Sequence, residues 1–142
     1  MFLTTKLWPS DYSFSSAISA ANMSMKRLNT DYLDLYLLHW PPSSISNKKE
    51  ALEETWRALE VLMDSEKCRS IGVSNFNQRD LEELIDVSSI VPHVNQHEFH
   101  PYQNPQDLRQ FCKDNKIQFQ VRMLLNQFCI LYMKGIYHYV II

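Results

Sequence analysis

Hydrogen-bonding side chains close four of the apolar runs in this sequence. They are Lys6, His39, the adjacent Ser74 and Asn75, and Gln96. If the runs are parallel strands, their carboxyl ends meet at one rim of a sheet, where ligands bind in such folds. Lysine and neutral histidine can donate to a carbonyl oxygen on which negative charge develops. The amides of Asn75 and Gln96 can pair with a carboxamide. The sequence therefore predicts a carbonyl-polarising site at this rim.

Other chemistries fit the sequence less well. No cysteine or serine is paired with a local base, and a chain with two glycines has no Gly-rich phosphate loop. His93, His97, Glu98 and His100 suggest a metal site. However, side chains alternate faces along a strand, so these four cannot easily converge on one ion. We therefore expect no metal.

The elements that must position these residues alternate between strands and helices. Strands are predicted over residues 2–7, 32–39, 69–73, 91–96 and 117–123, and apolar residues at helical spacing predict four helices between them. The first of these helices has the apolar stripe Phe14, Ile18, Ala21, Met25 and Leu28. Strands that alternate with helices imply a parallel sheet, either open and doubly wound or part of a (β/α)8 barrel.

Composition limits the classes of partner. The chain has 142 residues, a formal net charge of −2 and no Lys/Arg stripe, so we expect no nucleic acid partner. The first residues lack the apolar segment of a signal peptide, and residues 126–142 are too short and too interrupted to span a membrane. Three cysteines without metal-ligand spacing indicate reduced thiols, which predicts a cytoplasmic protein.

Four stretches resemble the aldo-keto reductase family, whose members are NADP(H)-dependent (β/α)8 barrels that reduce aldehydes and ketones. They are TTKLW (residues 4–8), DYLDLYLLHWP (31–41), IGVSNF (71–76) and VNQHEFHPYQ (94–103), in the family's order and spacing. The resemblance implies an α/β fold that is a partial (β/α)8 TIM barrel, about strands three to seven. It implies a partial reductase domain over residues 1–123, followed by a divergent apolar tail over residues 124–142.

The resemblance also implies roles for individual residues. Lys6 matches a catalytic lysine that lowers the pKa of a catalytic tyrosine, and His39 matches the histidine that orients the substrate carbonyl. Trp8 and Trp40 match aromatic residues that line the substrate pocket. The residues matching those that bind the nicotinamide carboxamide of NADP(H) are Ser74, Asn75 and Gln96. The implied substrate is a small carbonyl compound.

The sequence departs from the family at several positions. The family's catalytic tyrosine and aspartate precede the stretch with which this chain begins, so neither is matched in it. Arg122 stands where the family has a tyrosine that stacks on the nicotinamide, and Glu66 stands where its turns have glycine. We therefore expect the chain to be inactive alone. The alternatives are a non-catalytic fragment that self-associates through open sheet edges or binds a partner, and an auxiliary subunit that docks through the barrel surface.

Overall fold

The computed structural model describes residues 1–43, 45–98 and 105–122. Its strands are β1 (Thr4–Leu7), β2 (Leu35–Leu38), β3 (Ile71–Ser74), β4 (Val94–Glu98) and β5 (Gln118–Arg122). Its helices are α1 (Phe14–Leu28), α2 (Lys48–Asp64), α3 (Gln78–Ile85) and α4 (Gln106–Asp114), and a 3₁₀ turn at Pro9–Asp11 follows β1. The tail predicted over residues 124–142 lies outside the described residues.

The five strands form one parallel sheet in the order β1-β2-β3-β4-β5. The predicted parallel α/β fold is therefore confirmed. An open doubly wound sheet reverses its strand order at a switch point. Each described strand here lies beside the next one along the chain, which is the arrangement of a barrel.

The second strand is shorter than the apolar run that predicts it. The run covers residues 32–39, and β2 takes the four residues Leu35–Leu38, all of them buried. The residues on either side of β2 still form backbone contacts with the neighbouring segments of the chain. Leu33 forms an isolated bridge with Cys68, and the His39 N–H donates to the Leu7 carbonyl at 3.0 Å. His39 is therefore held against β1 although it lies just beyond the end of β2.

The helices pack on one face of the sheet, called here the outer face. The strand side chains in this apolar core are Leu7, Tyr36, Leu38, Ile71 and Val73. Alternation along the strands places these side chains on a single face, and the apolar sides of all four helices cover it. The outer face therefore contains the hydrophobic core that holds the strands in register.

The first helix differs slightly from its predicted stripe. α1 buries Ala17, Ala21 and Met25, whereas Leu28, predicted to lie in the core, is exposed. Leu28 lies in the last turn, and the chain leaves the helix at Asn29, which has a left-handed conformation with φ of 50°. The stripe therefore ends one turn earlier than the sequence periodicity indicates.

Two local features explain how the chain enters β3 and leaves it. Glu66, before β3, has a φ of 59°, a conformation that favours glycine, so the strain expected at this turn is present. After β3, the Asn77 side chain accepts a hydrogen bond from the Asp80 N–H at 3.0 Å, and the Asp80 carboxylate accepts one from the Asn77 N–H at 3.2 Å. This reciprocal capping box starts α3 immediately after the rim.

The opposite face of the sheet, called here the inner face, is much more polar. Its positions follow from the pairing register and the alternation of side chains. They are Thr4, Lys6, Leu35, Leu37, His39, Gly72, Ser74, Val94, Gln96, Glu98, Gln118, Gln120 and Arg122. The ionisable residues among them lie toward the carboxyl ends of the strands.

Candidate active site

Lys6 and His39 lie on adjacent strands and on the inner face. Lys6 is the register partner of Leu37, and His39 is two residues further along the same chain segment, so both side chains project to the same side. Both are half-buried. The structure thus brings together the two residues that the resemblance identifies as catalytic.

Burial and neighbouring positive charges lower the pKa of both residues. For His39 the largest cause is burial, followed by the positive charges of Lys6 and Arg122. For Lys6 the causes are burial and then Arg122. Since both effects disfavour the cationic form, the His39 ring is neutral at neutral pH. A neutral ring can donate one N–H to a carbonyl oxygen.

Two tryptophans lie on either side of His39. The Trp8 ring meets the histidine edge-on with centroids 4.7 Å apart, and the Trp40 ring lies nearly parallel to it at 5.9 Å. Their side chains are 55% and 44% exposed, respectively. They are therefore part of the rim and not of the packed core, and both rings lie against the ring of His39.

Tyr12 holds the Trp40 backbone, a role that sequence analysis did not find. Its hydroxyl donates to the Trp40 carbonyl at 2.5 Å, and burial raises its pKa well above the ordinary value. The two residues are 28 positions apart, so no local pattern links them. The only signal is that an aromatic residue with a polar tip follows the TTKLW stretch.

Asn75 connects the ends of three strands. Its N–H donates to the Gln96 carbonyl at 2.9 Å, and its Nδ2 donates to the His39 carbonyl at 2.9 Å and to the Ser74 Oγ at 3.1 Å. It has a φ of 63°, a left-handed conformation that asparagine tolerates better than most residues. The side chain is thus fixed with its Oδ1 making no described hydrogen bond.

Gln96 presents a buried acceptor that has no partner among the described residues. Its Nε2 donates to Oε1 of Gln120 at 2.9 Å, whereas its own Oε1 is buried and unpaired. Ser74 lies opposite Gln96 in the pairing of β3 with β4, on the same face. A primary carboxamide has an NH₂ to donate and a carbonyl to accept, so it matches the unpaired oxygen and the neighbouring hydroxyl. These residues therefore fit the amide end of a nicotinamide.

None of the three described tyrosines can act at this site. Tyr12 is bonded to Trp40, Tyr32 lies under the Arg69 guanidinium at 4.2 Å, and Tyr36 points into the outer-face core. The described part of the chain therefore presents no tyrosine hydroxyl to Lys6 and His39.

The residues of the suggested metal site are separated by the strand. His97 stacks on Phe119, which packs against the outer-face core, at 6.2 Å, and Glu98 occupies the next position along β4. The His93 ring lies beside the Ile71 backbone at the other end of the sheet. His100 is outside the described residues. In the ranges that the structure covers, no group of three His, Cys, Asp or Glu side chains could hold a metal ion.

A cleft of about 510 Å³ adjoins the rim between the loop after β2 and the start of α3. Trp40, Pro41, Asn75, Asn77 and Asp80 are among its lining residues. Lys6 and His39 do not line it, so the side chains on the inner face define the candidate site and this cleft is a neighbour of it. Among the described helices, none is long and apolar enough to cross a membrane.

A parallel sheet of five strands in chain order, with its helices on one face and polar side chains at its carboxyl ends, is the arrangement found in part of a (β/α)8 barrel. The family model for the aldo/keto reductase family matches residues 1–131. The chain therefore belongs to the aldo/keto reductase family, as the four sequence stretches predict.

Curated relatives and solved structures agree with this assignment. An uncharacterized oxidoreductase of Caenorhabditis elegans is 47% identical over 116 residues, 80% of this chain and 36% of the relative. The glyoxal reductase of Bacillus subtilis (strain 168) is 45% identical over 120 residues, 84% of this chain and 41% of the relative. The chain thus spans about two fifths of the length of these relatives.

Two crystal structures extend the comparison to three dimensions. An aldo/keto reductase from Brucella melitensis superimposes with a TM-score of 0.80 at 44% identity, over 86% of this chain and 46% of its own. The Bombyx mori aldo-keto reductase in complex with NADP gives a TM-score of 0.78 at 34% identity, over 85% of this chain and 40% of its own. The described fold is therefore a partial (β/α)8 barrel of this family.

Proposed function

We propose that this chain carries the carbonyl-orienting and nicotinamide-recognising residues of an NADP(H)-dependent carbonyl reductase. One observation carries the proposal. On a single face of the sheet, Lys6 and neutral His39 lie at the same rim as the buried, unpaired oxygen of Gln96. A carbonyl donor set beside a carboxamide acceptor is the arrangement that hydride transfer from a nicotinamide requires.

The residues of β3 and β4 would hold the carboxamide of NADP(H). The Oε1 of Gln96 would accept from its NH₂, and the Ser74 hydroxyl and the Asn75 side chain would complete its hydrogen bonds. Support comes from the Bombyx mori relative, which was solved in complex with NADP. When bound, the cofactor supplies the hydride.

Lys6 and His39 would act on the substrate oxygen. The neutral imidazole donates an N–H to the carbonyl oxygen, and the Lys6 ammonium stabilises the negative charge that grows there. Because burial and then the charge of Arg122 lower the pKa of Lys6, its ammonium is a better proton donor than that of an exposed lysine. Trp8 and Trp40, whose rings lie against His39, would contact the substrate beside it.

The substrate class is a small aldehyde or ketone, in keeping with the Bacillus subtilis relative named as a glyoxal reductase. We expect no measurable turnover by the chain alone, because no described tyrosine reaches the site. Loss of a positioned general acid lowers a rate on the order of 10²–10⁴-fold.

Cofactor recognition is tested by titrating the chain with NADPH and following the nicotinamide fluorescence. We expect binding that Gln96→Leu weakens by about tenfold or more, because the substitution removes the acceptor for the amide. Gln110→Leu is the matched control, since Gln110 is exposed on α4 and bonds only to Asp114 among the described residues. Equal binding by the two variants would reject the proposed carboxamide site.

Turnover is tested by NADPH absorbance with 4-nitrobenzaldehyde. The expected result is a rate that does not differ between the chain and its Lys6→Met variant. A rate that disappears in Lys6→Met would contradict our expectation of inactivity and would require a proton donor outside the described residues.

A second candidate function is self-association through open sheet edges. In the described part of the sheet, β1 pairs only with β2 and β5 pairs only with β4, so each has one unpaired side. Light scattering of the purified chain tests this candidate, with concentration-dependent mass as the expected result. A monodisperse monomer that unfolds cooperatively would reject it.

We also propose that the protein works in the cytoplasm. Cys68 and Cys112 are free and buried, and burial raises the pKa of the Cys68 thiol to about 12. Free thiols of this kind persist in a reducing compartment. Fractionation with a tagged full chain would test the location, and recovery in a secreted fraction would contradict it.

A further inference from the structure

We propose that the cleft between the loop after β2 and the start of α3 is a second binding site, which takes a small neutral molecule made of an apolar ring and an amide group. The site adjoins the candidate active site and does not depend on the proposed function, because neither Lys6 nor His39 lines it. Its volume of about 510 Å³ lies within the range of about 300–1,000 Å³ that is usual for small-molecule sites.

The walls of the cleft are apolar and rigid. The apolar lining residues are Pro9, Trp40, Pro41, Pro42 and Ile45. The ring of each proline fixes its own φ, and the hydroxyl of Tyr12 holds the backbone at Trp40 by donating to its carbonyl. A cleft whose walls are already fixed loses little conformational freedom when a ligand binds. An apolar ring that fills it therefore gains affinity from the burial of its surface.

Asn77 and Asp80 form the polar end of the cleft. Both line it, and the capping box uses only part of their hydrogen-bonding capacity. Asn77 Oδ1 accepts from the Asp80 N–H, whereas its Nδ2 has no partner in the part of the chain that the structure describes. The Asp80 side chain is 10% exposed and accepts from Lys48 Nζ at 3.3 Å and from the Asn77 N–H at 3.2 Å. Because a carboxylate can accept about four hydrogen bonds, Asp80 can also accept from a ligand.

The charges around this polar end favour a neutral ligand. Lys48 contacts both Asp80 and Glu83, and Arg79 also pairs with Glu83, so two cations meet two carboxylates. The positive end of the α3 dipole opposes a ligand ammonium, and the Asp80 carboxylate opposes a ligand anion. An amide is neutral and carries its acceptor and its donor on different atoms. It can therefore accept from Asn77 and donate to Asp80 at the same time.

Trp40 connects the cleft to the candidate active site. Its ring lies nearly parallel to the His39 ring with the centroids 5.9 Å apart, and the same residue lines the cleft. A ligand ring in the cleft would contact the part of Trp40 that His39 does not cover. Occupancy of the cleft should therefore be detectable at the Trp40 ring.

The experiment titrates the full chain with acetanilide and follows the indole N–H of Trp40 by NMR. Acetanilide is a phenyl ring joined to an amide, and phenyl acetate has nearly the same shape with an ester oxygen in place of the N–H. We expect acetanilide to give a saturable shift of the Trp40 resonance. Phenyl acetate should bind at least about tenfold more weakly, because it cannot donate to Asp80. Equal affinities, or no saturable shift with acetanilide, would overturn the inference.

Asn77→Ser is the test variant, and Asn115→Ser is its control. Serine is also a good N-cap, so Asn77→Ser keeps the start of α3 and removes the Nδ2 donor. Asn115 lies between α4 and the amino end of β5, where its Nδ2 donates to the Phe111 carbonyl. We expect Asn77→Ser to weaken acetanilide binding by about fivefold and Asn115→Ser to preserve it. Unchanged binding by Asn77→Ser would contradict the inference. The comparison of the two ligands uses the unmodified chain and does not depend on the folding of a variant.

Gln96→Leu separates this site from the proposed carboxamide site. Acetanilide should bind to Gln96→Leu as it does to the unmodified chain, and a loss of binding there would place the ligand at Gln96 and overturn the inference. Failure of the proposed function gives a different result. If NADPH binding does not depend on Gln96 while acetanilide binding still depends on Asn77, the carboxamide site is rejected and the cleft remains a binding site.

Discussion

The two faces of the sheet are made by the same strands and differ mainly in polarity. On the outer face, Leu38 and Val73 pack with the helices in a continuous apolar core. On the inner face, the neighbouring positions are the polar residues His39 and Ser74. Buried oxygens without a partner among the described residues occur on both faces, at Gln96 and at Asn95. Because side chains alternate along a strand, adjacent residues take part in entirely different environments.

Residues that stabilise the fold and residues of the candidate site therefore alternate along each strand. The outer face stabilises the fold through apolar burial. The inner face keeps half-buried cationic and polar groups that do not neutralise one another, at a cost in desolvation. Substitutions on the two faces should therefore have different consequences for unfolding and for binding.

The largest expected difference is between two tryptophans. Trp56 of α2 is 1% exposed, and its Nε1 donates to the Ile90 carbonyl at 2.9 Å. Trp56→Ala should lower the free energy of unfolding by about 3–5 kcal/mol. Trp40→Ala, at the rim, removes a ring that is 44% exposed and stacks only on His39 among the described rings, and it should lower the free energy of unfolding by about 1 kcal/mol or less. Urea unfolding followed by circular dichroism measures both, and equal losses would contradict the separation of roles.

A substitution at Gly72 tests whether side chains in the middle of the inner face are also closely packed. A Cβ on this residue would lie 2.5 Å from the Val94 carbonyl oxygen and 2.9 Å from Leu37 Cδ2. Gly72→Ala should therefore destabilise the chain by about 1–3 kcal/mol, because backbone must move. Ser74→Ala, on the same strand and face, is the control and should cost less in the same urea titration. A Gly72 variant as stable as the Ser74 variant would show that the inner face is loosely packed.

Substitutions of Asn95 and Gln96, which are adjacent amides on β4, allow the most direct comparison of the two faces. Asn95 lies on the outer side and its Nδ2 donates to the Phe76 carbonyl at 2.9 Å, so Asn95→Leu leaves a buried carbonyl unpaired and should cost about 1–2 kcal/mol. Both side chains also have a buried oxygen without a partner among the described residues. Gln96→Leu leaves only the oxygen of half-buried Gln120, which water can reach, without its donor, and it should cost less than about 1 kcal/mol. Thermal unfolding measures both. The opposite ranking would mean that the Gln96–Gln120 bond is structural and that the inner face is not set apart for a ligand.

The smallest expected effect is the titration of His39. Burial and the neighbouring cations lower its folded pKa below 6.5, so the unfolded chain binds this proton more readily. The stability that depends on neutral His39 is complete above about pH 6.5 and is lost as the pH falls through the lower folded pKa. His39→Gln should remove this part of the pH dependence.

The same titration, followed by NMR of the His39 ring, tests the origin of the shift. Lys6→Met and Arg122→Gln should each raise the His39 pKa toward 6.5, because each removes a positive charge from its surroundings. Lys26→Met, on α1, is the control and should leave it unchanged. If no variant moves the pKa, burial alone causes the shift and the cations of the inner face do not interact with His39.

Local sequence signals predicted much of the fold. The apolar stripe of α1 and the four buried residues of β2 depend on neighbours in the chain. The unusual backbone at Glu66 was indicated by the family resemblance instead. The ends of the strands were predicted less exactly. The apolar run over residues 32–39 predicted a longer strand than β2, which has four residues. The exposure of Leu28 was missed because helical periodicity does not indicate where the sheet beneath the helix ends.

The candidate site was predictable in its residue types but not in its details. The strand ends and the family motifs identified Lys6 and His39. The Tyr12 bond to Trp40 and the Gln120 bond to Gln96 join segments 28 and 24 residues apart, and no local pattern encodes such pairs. The unpaired oxygen of Gln96 was equally hidden, because whether a polar atom is satisfied depends on the whole surrounding structure.

Asn75 also limits which amino acids evolution can place at the centre of this rim. Its φ of 63° admits glycine, asparagine and aspartate with little strain. Its Nδ2 donates to the His39 carbonyl and to Ser74, so the position requires a side-chain N–H donor, which glycine and aspartate lack. Glutamine has the donor but not the tolerance of the left-handed conformation. Histidine tolerates this backbone conformation and has an N–H, but it has one donor where the Nδ2 of Asn75 supplies two hydrogen bonds. Asparagine therefore meets both requirements best, and the tolerance to mutation here should be among the lowest in the chain.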